Sequence, residues 1–283
     1  MIAAAAQFCK IGTVVAAVVM LALGPAGAAD DPVPRRVVSM NVCTDQLAML
    51  IADDGQLHSV SVLASDPSTS VMARQAGRYV ANHALAEEIF LMEPDLVLAG
   101  TFSPRATVGL LRRLGFRVEE FAPARSFNDV RENLIRVGEL LHRQKRAGEL
   151  VAELDQGLAR LQAAKPSGKS IALYDANSYT NGTGTLADEI FRAAGLTNIA
   201  EKLGVAGTVR LPMELLITAK PDLIATSYRD YGAPALAQEN FVHPAYLALG
   251  AEANVVDVPV PNMICGAPFT LEVAAILQKA AAK

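Results

Sequence analysis

The sequence has no tryptophan, only 5% aromatic residues, three cysteines and four histidines in 283 residues. Each shortage removes a class of protein. Cys9 precedes an apolar stretch near the N-terminus, so Cys43 and Cys265 are the thiols left to the body of the chain. Two cysteines permit at most one internal disulfide, which excludes a disulfide-stapled scaffold. His58, His83, His142 and His243 are scattered with no pair at metal-site spacing, so a bare zinc or manganese ion finds no ligand set. Basic charge is not in excess, with 25 Lys and Arg against 29 Asp and Glu. That balance argues against nucleic acid, which needs clustered cations to neutralise phosphates. Several catalytic motifs are missing as well: no Gly-x-Ser-x-Gly elbow, no Walker loop, and no Gly-x-Gly-x-x-Gly opening a helix after a strand. Gly182-Thr183-Gly184-Thr185 lacks the following lysine and reads as a loop before a capped helix.

No apolar run is long enough to span a bilayer, which takes about 20 residues. The run that does occur, Ile11 to Leu23, follows Lys10 and precedes the small residues Gly24-Pro25-Ala26-Gly27-Ala28-Ala29. Residues 1–28 therefore read as a signal peptide cleaved near Ala28 or Ala29, which places the product in the periplasm. No cysteine sits at that junction, so no lipid anchor is expected. Lys10 is the only charge before residue 29, so the remainder carries 24 basic residues (25 less Lys10) against 29 acidic, a net of −5. Its length, about 255 residues, allows one large domain or two ordinary ones.

What remains alternates short β-branched runs with amphipathic stretches, the pattern of an α/β fold. Strands are expected at Arg36–Met40, Leu57–Val62, Leu96–Ala99 and Arg117–Phe121. Helices are expected at Asp45–Ala52 (capped by Thr44 or Asp45), Leu85–Met92 and Ser103–Leu114. From Ser126 to Ala164 there is no proline, and apolar residues recur at three and four: Val130, Leu134, Val137, Leu141, then Leu150, Leu154, Leu158, Leu161. This is a long helix or a helix pair, with Gly138, Gly148 and Gly157 counting against one rod. The α/β alternation then restarts, with strands at Ile171–Tyr174, Leu223–Ala225 and Val255–Val258. Helices are expected at Leu186–Ala194, Met213–Ala219 and Thr270–Ala282.

Two segments match across the halves. Glu87-Glu88-Ile89-Phe90-Leu91-Met92-Glu93-Pro94-Asp95-Leu96 and Glu214-Leu215-Leu216-Ile217-Thr218-Ala219-Lys220-Pro221-Asp222-Leu223 each carry a glutamate, six residues, then Pro-Asp-Leu. The offset is 127 at both ends (214 − 87 and 221 − 94). A pseudo-duplicated pair of lobes on either side of the central helical stretch is the economical explanation. The expected division is an N-terminal lobe over 29–125, a connecting helix over 126–165 and a C-terminal lobe over 166–283.

With these segments, and with Val37-Val38-Ser39-Met40-Asn41-Val42-Cys43-Thr44-Asp45 and Gly195-Leu196-Thr197-Asn198-Ile199-Ala200, the chain from Arg35 to Ala282 resembles the periplasmic binding proteins of importers for siderophores, haem and cobalamin. The resemblance implies two small α/β lobes joined by a rigid helix, with a ligand cleft between them. It implies a non-enzymatic monomer without a cofactor, which passes an iron complex or cobalamin-like metal chelate to an ABC transporter permease in the inner membrane. Carried over by position, the resemblance implies that Glu87 and Glu214 dock against permease arginines. Either is also explained by the helix macrodipole alone, and Glu88 rivals Glu87.

Open α/β sheets bind ligands beyond the carboxyl ends of their strands. The candidates there are Asn41, Cys43, Thr44, Tyr79 and Phe102 in the first lobe, and Tyr179, Tyr228, Met263 and Cys265 in the second. Corrinoid- and haem-binding members usually offer broad aromatic surfaces, often tryptophan, and these tyrosines and Phe102 would have to substitute. Tyr79 lies eight residues before Glu87, close to where haem-binding relatives place an iron-ligating tyrosine, which keeps haem as an alternative ligand. Cys43 and Cys265 have three readings: ordinary buried thiols, ligand contacts, or a disulfide if their Cα atoms come within about 7 Å. A secreted enzyme with a cleft cysteine is the alternative of another class, and it would need a histidine in reach.

Overall fold

The computed structural model describes residues 32–226 and 235–283; the expected signal peptide over 1–28 lies outside them. The first half runs β1 (Val37–Ser39), α1 (Val42–Ile51), β2 (Leu57–Ser61), α2 (Ala73–Ala76), β3 (Val80–Asn82), α3 (Ala86–Leu91), β4 (Leu96–Gly100), α4 (Arg105–Arg113) and β5 (Val118–Phe121). Its five strands stand in the order β3-β2-β1-β4-β5, every pair parallel. Helices cover both faces of such a sheet, which is why β1 and β4 are buried along their whole length and β4 reads as an unbroken apolar run. Strand order reverses between β1 and β4, so the chain leaves their carboxyl ends in opposite directions and opens a crevice there.

The second half follows α5 (Phe127–Leu140) and α6 (Gln144–Gln162). It runs β6 (Ser170–Leu173), β7 (Tyr179–Asn181), α7 (Leu186–Ala193), β8 (Thr197–Asn198), α8 (Ile199–Leu203), β9 (Thr208–Arg210), α9 (Met213–Ala219) and β10 (Leu223–Thr226). Beyond residue 234 come α10 (Glu239–Val242), α11 (Pro244–Glu252), β11 (Asn254–Asp257), α12 (Pro261–Ile264) and α13 (Leu271–Ala281). A second parallel sheet stands as β11-β10-β6-β8, with β7 and β9 as a small antiparallel ribbon. The molecule is thus a two-lobed α/β protein.

The connection between the lobes is a helix pair, not one rod. Ser126 accepts the Asp129 amide, and the Asp129 carboxylate accepts the Ser126 amide, a reciprocal cap that fixes the start of α5. The chain turns at Leu141–Arg143, with His142 in the left-handed region (φ 55°), and α6 packs back on α5. Gly138 is where the two helices meet: a Cβ there would lie 2.4 Å from Ala147 Cβ. Gly157 makes a similar approach to Leu271 of α13. Two of the glycines that weaken the helix pattern are therefore contact points. Leu134, Leu150, Leu154 and Leu158 join both sheets into one buried apolar cluster that runs through the connection.

Local structure departs from the sequence pattern at three places. Helix α1 begins at Val42, three residues before the expected start, because extended Asn41 (φ −149°, ψ 134°) caps it and accepts the Cys43 amide at 3.0 Å. Val80–Asn82, where the sequence pattern shows no strand, forms the edge strand β3, which pairs with Ser59–Ser61. Pro261–Pro268 contains a one-turn helix, because Pro261 stands at its first position, where a missing N–H costs nothing.

Candidate ligand-binding site

A cavity of about 230 Å³ lies at the crevice beyond β1 and β4. Its walls are the first turn of α1 (Asn41, Val42, Cys43, Thr44), the loop after β4 (Gly100, Thr101, Phe102), the chain after β5 (Ala122, Pro123, Ala124) and Ile264 with Gly266 from the other lobe. Gly100 makes room for Asn41, since a Cβ on it would come within 2.9 Å of the Asn41 amide carbon. Gly266 likewise admits Val130 and Ala124, which seats the turn after α12 tightly on α5. Phe102 stands at the mouth, 85% exposed.

Cys43 and Cys265 are joined as a disulfide, with their Cα atoms 5.1 Å apart and a sequence separation of 222. The bridge ties the first turn of α1 to the chain after α12, lobe to lobe. Of the three readings the sequence leaves open, the disulfide is therefore the one adopted. Cys43 is half-buried on the cavity wall, whereas Cys265 is 3% exposed.

Beneath the wall lies a buried polar layer at the carboxyl ends of β1, β2 and β3. Thr44 Oγ1 donates to the Asn41 carbonyl at 2.9 Å and sits 2.8 Å from Ser39 Oγ. Asn82 donates to the Ser39 carbonyl and to Ser59 Oγ, both at 2.8 Å. Asp45 is fully buried, and its Oδ2 accepts the Ser61 hydroxyl at 2.5 Å while Oδ1 has no partner. Burial pushes the Asp45 carboxyl up to about 6, against the hydrogen bonds from Ser39 and Ser61 that favour its charged form.

Of the sequence candidates, Asn41, Cys43, Thr44 and Phe102 line this cavity together. Tyr79 does not. It precedes β3, four residues short of the strand-end rim at His83, and packs half-buried against the first lobe's core. Met263 also packs inward; its neighbour Ile264, 40% exposed, takes the wall instead. Tyr179 opens β7 away from the cavity walls, with the Arg210 guanidinium 5.6 Å from its ring centre. Tyr228, and Tyr231 beside it, lie outside the described residues. Asn133, on α5, also lines the cavity and was not anticipated; a lone polar residue on a helix gives no sequence signal.

Glu87 and Glu214 hold the same place in their lobes, the second position of α3 and of α9, both exposed. Neither carboxylate has a partner among the described residues. Glu88 is engaged, accepting the His83 amide at 2.6 Å and the His83 ring at 2.9 Å. Because α3 and α9 run back along the following strands, both glutamates stand at the strand-carboxyl end of their sheets, where the cleft lies. Among the described residues no three His, Cys, Asp or Glu converge on a metal site, and no helix is long and apolar enough to cross a membrane.

The model of the family described as periplasmic binding protein matches residues 37–254, and the chain belongs to that family. Its members bind and carry ligands and are not enzymes, which removes the cleft-cysteine enzyme. A cobalamin-binding protein of Halobacterium salinarum is 27% identical over 201 residues, 69% of this chain. The chain spans about half of that relative, 54% of its length. Among solved structures, a periplasmic haem-binding protein of Vibrio cholerae superposes with a TM-score of 0.69 at 20% identity, covering 86% of this chain and 97% of that one. A periplasmic binding protein of Veillonella parvula gives a TM-score of 0.72 at 18% identity, covering 87% and 90%.

Proposed function

We propose that this chain is the periplasmic capture component of an ABC importer, and that its ligand is a ferric siderophore or cobalamin-like metal chelate held at the cleft. The observation that carries the delivery half is the pair Glu87 and Glu214. Two carboxylates without a partner among the described residues, equivalent by the 127-residue repeat, stand one per lobe on the cleft side, where paired permease arginines would fix orientation and steer encounter. For the ligand, exposed Phe102 and the small polar groups of Asn41 and Thr44 suit an apolar body with a few orienting contacts. The cobalamin-binding relative points to the same class. Haem is the alternative ligand; Tyr79, the residue that favours it, is not among the walls of this cavity.

Titration with cyanocobalamin, a ferric hydroxamate and haemin, followed by intrinsic tyrosine fluorescence and calorimetry, tests the ligand class. Micromolar or tighter binding is expected for one of the first two, with haemin weaker. Saturable binding of haemin alone would replace the chelate with haem, and binding of none would end the proposal.

A further inference from the structure

We propose that the Cys43–Cys265 bridge is a thiol–disulfide exchange site, opened by a dithiol partner that attacks Cys43, and that its redox state sets how far the two lobes part. The chain passes between the two sheets only once among the described residues, through α5 and α6. The disulfide is thus the second covalent tie between the lobes. While it stands, the Cα atoms of Cys43 and Cys265 cannot separate beyond about 7 Å. The adjoining cavity is about 230 Å³, below the ~300–1,000 Å³ of pockets that enclose drug-sized ligands. The bridge therefore holds the Cys43 and Ile264–Gly266 walls of this cavity close together.

The two sulfurs are not equivalent. Cys43 is half-buried and borders the cavity, within reach of an incoming thiolate. Cys265 is 3% exposed, and its carbonyl is held by the Thr270 hydroxyl at 3.1 Å. Attack at Cys43 forms a mixed disulfide there while the Cys265 sulfur leaves with the bond's electron pair and takes a proton. The partner's second thiol then attacks its own mixed-disulfide sulfur and expels Cys43 as thiolate. Two electrons pass from the dithiol to the bridge, one proton goes to Cys265 and the other to solvent, and the partner leaves as a disulfide. Cys43 is suited to that last step, because it occupies the second position of a ten-residue helix whose N-terminal amides favour an anionic sulfur. The same property makes it the attacking thiolate when the bridge reforms.

The test needs no transported ligand, so it fails or succeeds independently of the chelate reading. The intact protein is treated under native conditions with glutathione, then separately with dithiothreitol, and mapped by mass spectrometry. Glutathione adducts are expected at Cys43 over Cys265 by at least tenfold, and dithiothreitol should reduce the bridge without denaturant. Hydrogen exchange over 41–47 and 264–267 should accelerate about tenfold on reduction while β4 stays protected, and the C43S/C265S double variant should exchange at the reduced rate in either condition. A bridge that resists dithiothreitol until unfolded, adducts confined to Cys265, or unchanged exchange after reduction would each overturn the proposal.

Discussion

Asp95 and Asp222, 127 residues apart, fasten the first strand of their lobes in the same way. Asp95 accepts the Arg35 and Arg36 amides at 2.6 and 3.0 Å, just ahead of β1. Asp222 accepts the Ser170 amide and the Ser170 hydroxyl, both at 2.7 Å, at the start of β6. The residues before the two prolines match as well, Glu93 at φ 48° and Lys220 at φ 43°, a left-handed turn that non-glycine residues rarely adopt. Asp222→Ala should cost about 1–2 kcal/mol at pH 7 by freeing these donors. The Ser170 amide holds the Asp222 carboxyl below its ordinary value, so this stabilisation is present above about pH 4 and fades as pH falls further. Urea unfolding of parent and variant should therefore show a gap at pH 7 that narrows at pH 3.

Reversing Glu87 and Glu214 to lysine together should leave chelate affinity within about twofold, because both lie outside the cavity walls, yet should abolish most uptake through the cognate importer. Radiolabelled uptake set beside calorimetric affinity checks this. Glu88→Lys serves as the contrast, since its carboxylate is committed to His83.

Asp45 makes stability depend on pH in the opposite sense to Asp222. Its folded value, about 6, lies above the ordinary carboxyl value, so the native state holds a proton that the unfolded chain releases first. Stability should fall as pH rises from about 4 to 6, by an order-of-magnitude 3 kcal/mol in total. Asp45→Asn should flatten that part of the profile, as read by denaturant midpoints at pH 4, 5, 6 and 7.

Gly138→Val should destabilise by about 1–3 kcal/mol, since its Cβ would fall 2.4 Å from Ala147 Cβ at the helix crossing. The melting temperature should drop by several degrees, and Ala147→Gly in the same chain should recover part of the loss. Calorimetric melting of the single and double variants measures both.

The layered α/β pattern, the helical stretch between the halves and the repeat were legible because each rests on periodicity or on a spacing that recurs. Asp95 and Asp222 explain why Pro-Asp-Leu recurs: the aspartate anchors a neighbouring strand. What stayed hidden depended on contacts distant in sequence. Strand β3, three residues long and only partly buried at a sheet edge, carries too short an alternation to register. Met263 and Ile264 are adjacent, and which one faces the cavity was decided by the turn α12 makes after Pro261. The buried carboxyl of Asp45 left no trace in sequence, since an aspartate near a helix start ordinarily needs only a cap to explain it.

The Cys43–Cys265 bridge also bears on how the chain is made. Strands β1 to β5 are contiguous in sequence, so the first lobe holds everything its sheet requires long before Cys265 is synthesised. Cys43 therefore emerges early and waits for a partner 222 residues behind it. A product that stalls before residue 265 keeps that thiol without its native partner. The bridge can therefore close for the first time only in a chain whose second lobe has been made.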